Sequence, residues 1–375
     1  MRRVWIGLGL GVFFICCLQP MYAAETPKSA VPPWKFTMNE GKTSVTFGFL
    51  AQPQFESLEN ASGNGSLENL FFRRLRFIAG GKITPKLSFF IESDAANLGK
   101  QSIADGPRMH DFFLQDAYLN YAFRPEFQID IGQLLMPVSH NSQQSAASLL
   151  PIDYGAYSFL ATDSSLPRAG RDYGLQARGY IKKHFEYRLG MYRGSRNSNY
   201  WNNPVHDGDF PARTLARFVW YPLEADTGFF YTGTTHGSKK ILGIGVSFDH
   251  QGDYYSNAVD VFFDHPLPNG DAVTVQADFL HYDGGTLYPA LRTENTWLVE
   301  GSYYNKKTRL GPFMQFGSRD FTNSPTSLDE KKVQGGIAYW ILKHKLNIKA
   351  GFGRMLKDNL PDRTQIVIQT QFFYY

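Results

Sequence analysis

Residues 69–81 read NLFFRRLRFIAGG, in which aromatic and aliphatic side chains surround Arg73, Arg74 and Arg76. Guanidiniums bind carboxylates and phosphates through paired N–H donors and stay charged at any physiological pH. The chemistry on offer is recognition of anions, with no covalent step. Other candidates carry less. The run HNS at 140–142 places His140 two residues before Ser142. A nucleophile and its base can share a strand face at that spacing. No oxyanion donor accompanies them, and a polar loop start explains the run as well. The nine histidines are otherwise scattered, so no metal site and no cofactor are expected. Gly243 and Gly245 fall mid-strand, where glycine makes room inside a barrel or marks a bulge rather than cradling a nucleotide.

The elements that must position these residues begin with an export signal. Arg2 and Arg3 precede the apolar run VWIGLGLGVFFICCL, and MYAAETP follows with small residues. A basic start, a short apolar stretch and small residues at its end describe a signal peptide over 1–24. The only cysteines, Cys16 and Cys17, lie within it. The remainder therefore excludes a disulfide scaffold and thiolate chemistry. Removing Arg2 and Arg3 from 38 basic residues leaves 36 against 34 acidic ones, a net charge of +2. Nothing there suggests a nucleic-acid partner. Residues 25–43, ETPKSAVPPWKFTMNEGKT, are polar and proline-rich and read as an extended leader.

From residue 44 to 375 the chain alternates with period two. Strands are expected near 44–56, 69–81, 86–95, 111–123, 126–137, 171–181, 185–193, 212–221, 239–250, 256–264, 272–282, 294–304, 310–320, 331–341, 345–355 and 363–374, sixteen in all. In FEYRLGMY, Phe185, Tyr187, Leu189 and Met191 share a face opposite Glu186 and Arg188; in KLNIKAGF, Leu346, Ile348 and Phe352 oppose Asn347 and Lys349. Long and short connections alternate, as in transmembrane barrels with long outer loops and short inner turns. Two depart: 222–238 is long for an inner turn, so that a strand is misplaced or the turn folds inward, and 251–255 is short for an outer loop. Aromatics gather at segment ends, at Tyr121, Phe123, Trp220, Tyr221, Tyr303, Tyr304 and Trp340, as an interfacial girdle would. In the last strand the polar pattern prefers Ile366, Ile368, Phe372 and Tyr374 outward. The outer loop 138–170 is long enough to fold into the lumen of so wide a barrel.

A membrane barrel answers the puzzle of the opening stretch. A charge at mid-membrane on the lipid face costs roughly 2–4 kcal/mol, whereas on the lumen face it meets water. With Leu75, Phe77 and Ala79 toward lipid, Arg74 and Arg76 line the lumen. Arg73 falls on the lipid side, and should sit near a strand end or bulge where it can snorkel. The same alternation puts Arg178, Arg188, Arg213, Arg217 and Lys349 inside, with Asp116, Glu92, Asp94, Asp278 and Glu300. Basic rings favour anions, although mixed charge also simply keeps a lumen wet.

These segments, in order, resemble the phosphate-selective porins of the O and P type. The resemblance runs from about residue 45 to the end. It is carried by FGFLAQPQF, FFRRLRF, DAYLNYAF, IDIGQLLMPVS, LPRAGRDYGLQARGY and the aromatic terminus QTQFFYY. It implies an all-β, sixteen-stranded outer-membrane barrel of a Gram-negative bacterium, trimeric, with an inward third loop and a basic lumen for anions. Lipid and lipopolysaccharide would be its surroundings. Arg73 and Arg74 match the family's basic second strand, and Asp116 the acidic position of its DAYL strand. The chain departs in having no Lys or Arg over 138–167. The expectation is a passive, anion-preferring porin, no enzyme, with phosphate as a candidate solute and the nine residues Arg73, Arg74, Arg76, Asp116, Arg178, Arg188, Arg213, Arg217 and Lys349 as its pore lining. The rivals are a barrel hydrolase using His140 and Ser142, and a non-conducting adhesin or assembly scaffold.

Overall fold

The computed structural model describes residues 34–60, 62–102, 106–107, 112–158, 170–195, 202, 212–289, 291–322 and 329–375. The expected signal peptide lies outside them. Sixteen antiparallel strands close into one barrel: β1 (Thr43–Glu59), β2 (Ser66–Lys82), β3 (Leu87–Asp94), β4 (Phe113–Arg124), β5 (Phe127–Leu135), β6 (Arg171–Ile181), β7 (Phe185–Tyr192), β8 (Arg213–Trp220), β9 (Ile241–Gln251), β10 (Tyr254–Pro266), β11 (Ala272–Asp283), β12 (Glu294–Tyr304), β13 (Leu310–Phe321), β14 (Glu330–Tyr339), β15 (Leu346–Lys357) and β16 (Arg363–Tyr374). Each pairs with its sequence neighbour, and β1 closes on β16 from Phe49↔Tyr374 to Leu58↔Gln365. Closure leaves no edge, so every strand amide can be satisfied within lipid.

Part of the expected leader is itself strand. Trp34–Met38 pairs with Thr43–Phe47, the inner end of β1 that β16 does not reach. Gly41, at φ 83°, supplies left-handed backbone in the turn between them. Trp34 meets Tyr374 across this seam, with ring centroids 5.8 Å apart.

Alternation sets the two faces. In β12, Thr296, Leu298 and Glu300 are buried while Trp297 and Val299 are exposed outward. In β16, Gln365, Gln369 and Gln371 turn in, and Ile366, Ile368 and Phe372 turn out. The girdle is only partly as expected. Near the inner ends of β4 and β5, Tyr121 meets Phe123 edge-on and Phe123 stacks on Phe127, and Trp220 is exposed. Tyr221, Tyr304 and Trp340 instead point inside and are buried. They pack on a connection that has left the periphery.

That connection is 221–240, the long inner turn. It folds inward. Tyr231 is fully buried, and Phe229, Tyr231 and Thr232 bond to residues of the outer loop after β5. The connection 251–255 is a two-residue turn with Gly252 at φ 61°, which lengthens β9 and β10 rather than forming a loop.

The lipid face can be tested at its middle. Val299→Arg should lower stability by about 2–4 kcal/mol, read by denaturant unfolding in lipid vesicles.

Candidate functional site in the barrel lumen

Arginines 178, 188 and 217 form a row. Arg178 stands opposite Arg188 across β6–β7, and Arg188 opposite Arg217 across β7–β8. Like charges directly opposite repel. The row persists because each guanidinium has its own carboxylate: Arg178 with Asp130 at 2.8 Å, Arg188 with Glu186 at 2.6 Å and Arg217 with Asp260 at 2.5 Å. Arg217 reaches past β9 to a carboxylate on β10, and Gly245 lets it through. A Cβ on Gly245 would lie 2.6 Å from the Arg217 Nη2 and 2.7 Å from Asp260 Oδ1.

The inner turn docks on this row. Arg188 donates to the carbonyls of Phe229 and Gly228, at 2.8 and 3.0 Å. The guanidiniums of Arg188 and Arg217 lie 4.7 and 5.4 Å from the Tyr231 ring centroid, within cation–π reach. Glu186 accepts from the hydroxyls of Tyr180, Tyr221 and Tyr231 as well as from Arg188.

The outer loop meets the turn here. Residues 136–158 contact inward side chains on several sides of the barrel. Gln52 on β1 donates to Ala146 O, Ser247 on β9 to Val138 O, and Gln315 on β13 to Asp153 O. Lys349 on β15 gives its ammonium to the carbonyls of Leu149 and Pro151, each at 2.6 Å. Loop and turn join through their backbones: Tyr231 N donates to Gln143 O, and Ser145 N to Tyr231 O, both at 2.9 Å.

Arg73 corrects the sequence reading. The register of β1 against β2 shifts between Gln52 and Pro53, so that Arg73 is the extra residue of a bulge. Proline suits such a site because it has no N–H to pair. Inward positions run through Asn69 and Phe71 before the bulge and Arg74, Arg76 and Ile78 after it. Arg73 therefore does not snorkel toward lipid. It turns inward beside Arg74, and both hold Asp153, at 2.6 and 2.5 Å. Burial would raise the Asp153 pKa, but the two guanidiniums outweigh it and hold the carboxyl below its usual range. The remaining expected cations are also inward and paired: Arg76 with Glu92 and Asp94, and Arg213 with Asp249. Asp116 is bound by Arg171, which sequence reasoning did not single out. The carboxylates Asp130, Glu186, Asp249, Asp260 and Asp153 were likewise missed. Their inward phase was readable on the strands; their partners depend on cross-strand register.

His140 and Ser142 do not form a dyad. They lie in a one-turn helix, α1 (His140–Gln143), capped by Ser139. Ser142 Oγ donates to Ser139 O and accepts from Ser139 N. The His140 ring faces elsewhere, stacked between Tyr231 and Phe262, with Nε2 3.1 Å from Thr232 O. Burial lowers its pKa to about 3, which keeps the ring neutral.

A family model, phosphate-selective porin O and P, matches residues 45–281. The chain belongs to this porin family. Solved structures agree on the fold. The anion-selective porin from Comamonas acidovorans superposes with a TM-score of 0.59 at 9% identity, covering 88% of this chain and 100% of that one. Salmonella typhi OmpF, solved with daunomycin, gives 0.58 at 13% identity, covering 90% and 100%. The trimer form of Vibrio cholerae OmpT gives 0.54 at 10%, covering 88% and 99%. A search of curated proteins found no match. The porin is an outer-membrane channel protein of a Gram-negative bacterium.

Two substitutions test the geometry of the lumen. In this porin Gly245→Val should force apart the Arg217–Asp260 pair and cost about 3–5 kcal/mol, the range for breaking a buried ion pair, in the same vesicle unfolding measurement. Asp153→Asn should release residues 150–158, read as faster amide deuterium exchange there and not in β5.

Proposed function

We propose that this porin passes small hydrophilic solutes passively, with a modest preference for anions, through a lumen narrowed by the outer loop. The observation that carries this reading is the clamp under the loop. Arg73 and Arg74 share one carboxylate, Asp153, and so leave one positive charge over. Lys332 faces the same region from β14. Lys100 is balanced by Glu56 at 2.6 Å. Four cations thus stand against two carboxylates, a surplus of two, whereas the arginine row deeper inside is paired one to one. A permeating anion exchanges for mobile counterions at this surplus, and salt screens the effect.

Phosphate has weaker support than anions in general. The guanidiniums of the row are engaged by carboxylates and carbonyls, which a phosphate would have to displace. Loop residues 138–158 contain no Lys or Arg. Assembly as a homotrimer is supported by the trimer form of an outer-membrane protein with the same fold. The backbone joint between loop and turn favours one other reading, a barrel that does not conduct.

Reversal potentials in planar bilayers under a KCl gradient separate these. Wild type should be anion-selective, and low-millimolar phosphate should leave the chloride current unchanged. The double variant Arg74→Ala with Arg76→Ala strips guanidiniums from Asp153, Glu92 and Asp94. Its anion-to-cation permeability ratio should fall below that of wild type. An unchanged ratio removes both residues from the selectivity, and absence of any current favours the non-conducting barrel.

A further inference from the structure

A chamber of about 220 Å³ opens between β1, β14, β16 and the outer loop. At about 30 Å³ per water it holds roughly seven waters. Its charges are arranged unequally. Arg73 and Lys100 each have a carboxylate at 2.6 Å. Lys332 is also inward and partly exposed, yet no hydrogen bond or ion pair reaches it among the described residues. An amide stands in the same wall. Gln365 is 8% exposed, and its Nε2 donates to Glu56 Oε2 at 2.9 Å. Glu56 can only accept when ionised, so this bond fixes which way the amide points. Its Oε1 is then left buried without a donor among the described residues. A buried acceptor of this kind is unfavourable until a donor reaches it. Ile152 and Val367 add an apolar floor.

We propose that this chamber is a docking site for a small hydroxylated monocarboxylate of the sugar-acid class. The inference rests on the channel reading and narrows it to a solute. The Lys332 ammonium takes the carboxylate. Gln365 Oε1 accepts from a hydroxyl, and the apolar floor meets the C–H face of the ring. Inorganic phosphate supplies mainly acceptors and leaves the Gln365 oxygen unmet. A neutral sugar meets Gln365 and leaves the ammonium bare.

The test is block of chloride current through the full chain by D-galacturonate, D-galactose or inorganic phosphate. Galacturonate should block at concentrations about tenfold below the other two, as expected for one charge-assisted bond. Lys332→Met should raise its blocking concentration about tenfold and leave galactose unchanged, with Lys332→Arg restoring the block. Equal block by galacturonate and galactose, or block that Lys332→Met does not change, overturns the proposal. Tighter block by phosphate than by galacturonate overturns it in favour of a plain anion site. Current without any block removes this site and keeps the channel. If no current flows, the channel reading fails, and calorimetric titration of galacturonate into the detergent-purified chain decides the site alone. Binding heat lost in Lys332→Met supports it, and no heat in wild type overturns it.

Discussion

Three arginines side by side on adjacent strands cannot stay buried unless each is neutralised, and most of the lumen follows from that requirement. Asp130, Glu186 and Asp260 supply the charge, and Gly245 is small because the Arg217–Asp260 pair passes over it. Spare donors remain on Arg188, and the carbonyls of Gly228 and Phe229 fill them. The inner turn is thereby drawn into the barrel. Once there, its backbone meets the outer loop at Gln143, Ser145 and Tyr231. A charge problem on the wall has become a joint between two segments that enter from opposite ends.

The other half of the lumen answers a different constraint. A strand places consecutive residues on opposite faces, so Arg73 and Arg74 would ordinarily split between lipid and water. The bulge beside Pro53 adds one residue and brings both inside. There they fasten the loop through Asp153 rather than standing free. The basic second strand is, in this porin, part anchor and part charge surplus. On the function proposed above, selectivity would belong to the small excess near the clamp and Lys332, while the long arginine row holds the inner turn.

Much of the barrel was legible in the sequence because lipid enforces a strict rule. Charges pay heavily on the outer face, so the phase of Arg188, Lys349 or Glu300 could be read residue by residue. Strand positions came through for the same reason, and the length of 222–238 left a misplaced strand or an inward turn, of which the structure shows the second. Partners were not legible. Arg217 pairs across an intervening strand, and Asp153 arrives from a loop, so both depend on register and loop path that alternation does not encode. The bulge expected at Arg73 is present, but it turns the side chain inward instead of letting it snorkel to lipid, because one extra residue inverts the phase. Trp340 and Tyr221 failed because an aromatic at a strand end can serve a girdle or pack on an inward turn, and only the turn's position decides.

Whether a continuous aqueous path runs past the loop and turn is the point on which the channel reading stands. From residue 25 onward the sequence has no cysteine, so a single Gln334→Cys on β14 gives one inward target facing the chamber. The direct measurement is its reaction with a charged, membrane-impermeant methanethiosulfonate added to one side of a bilayer at a time. Modification from both sides, with a matching fall in current, is the predicted result. Modification from the outer side alone would mean that loop and turn seal the barrel, and would contradict it.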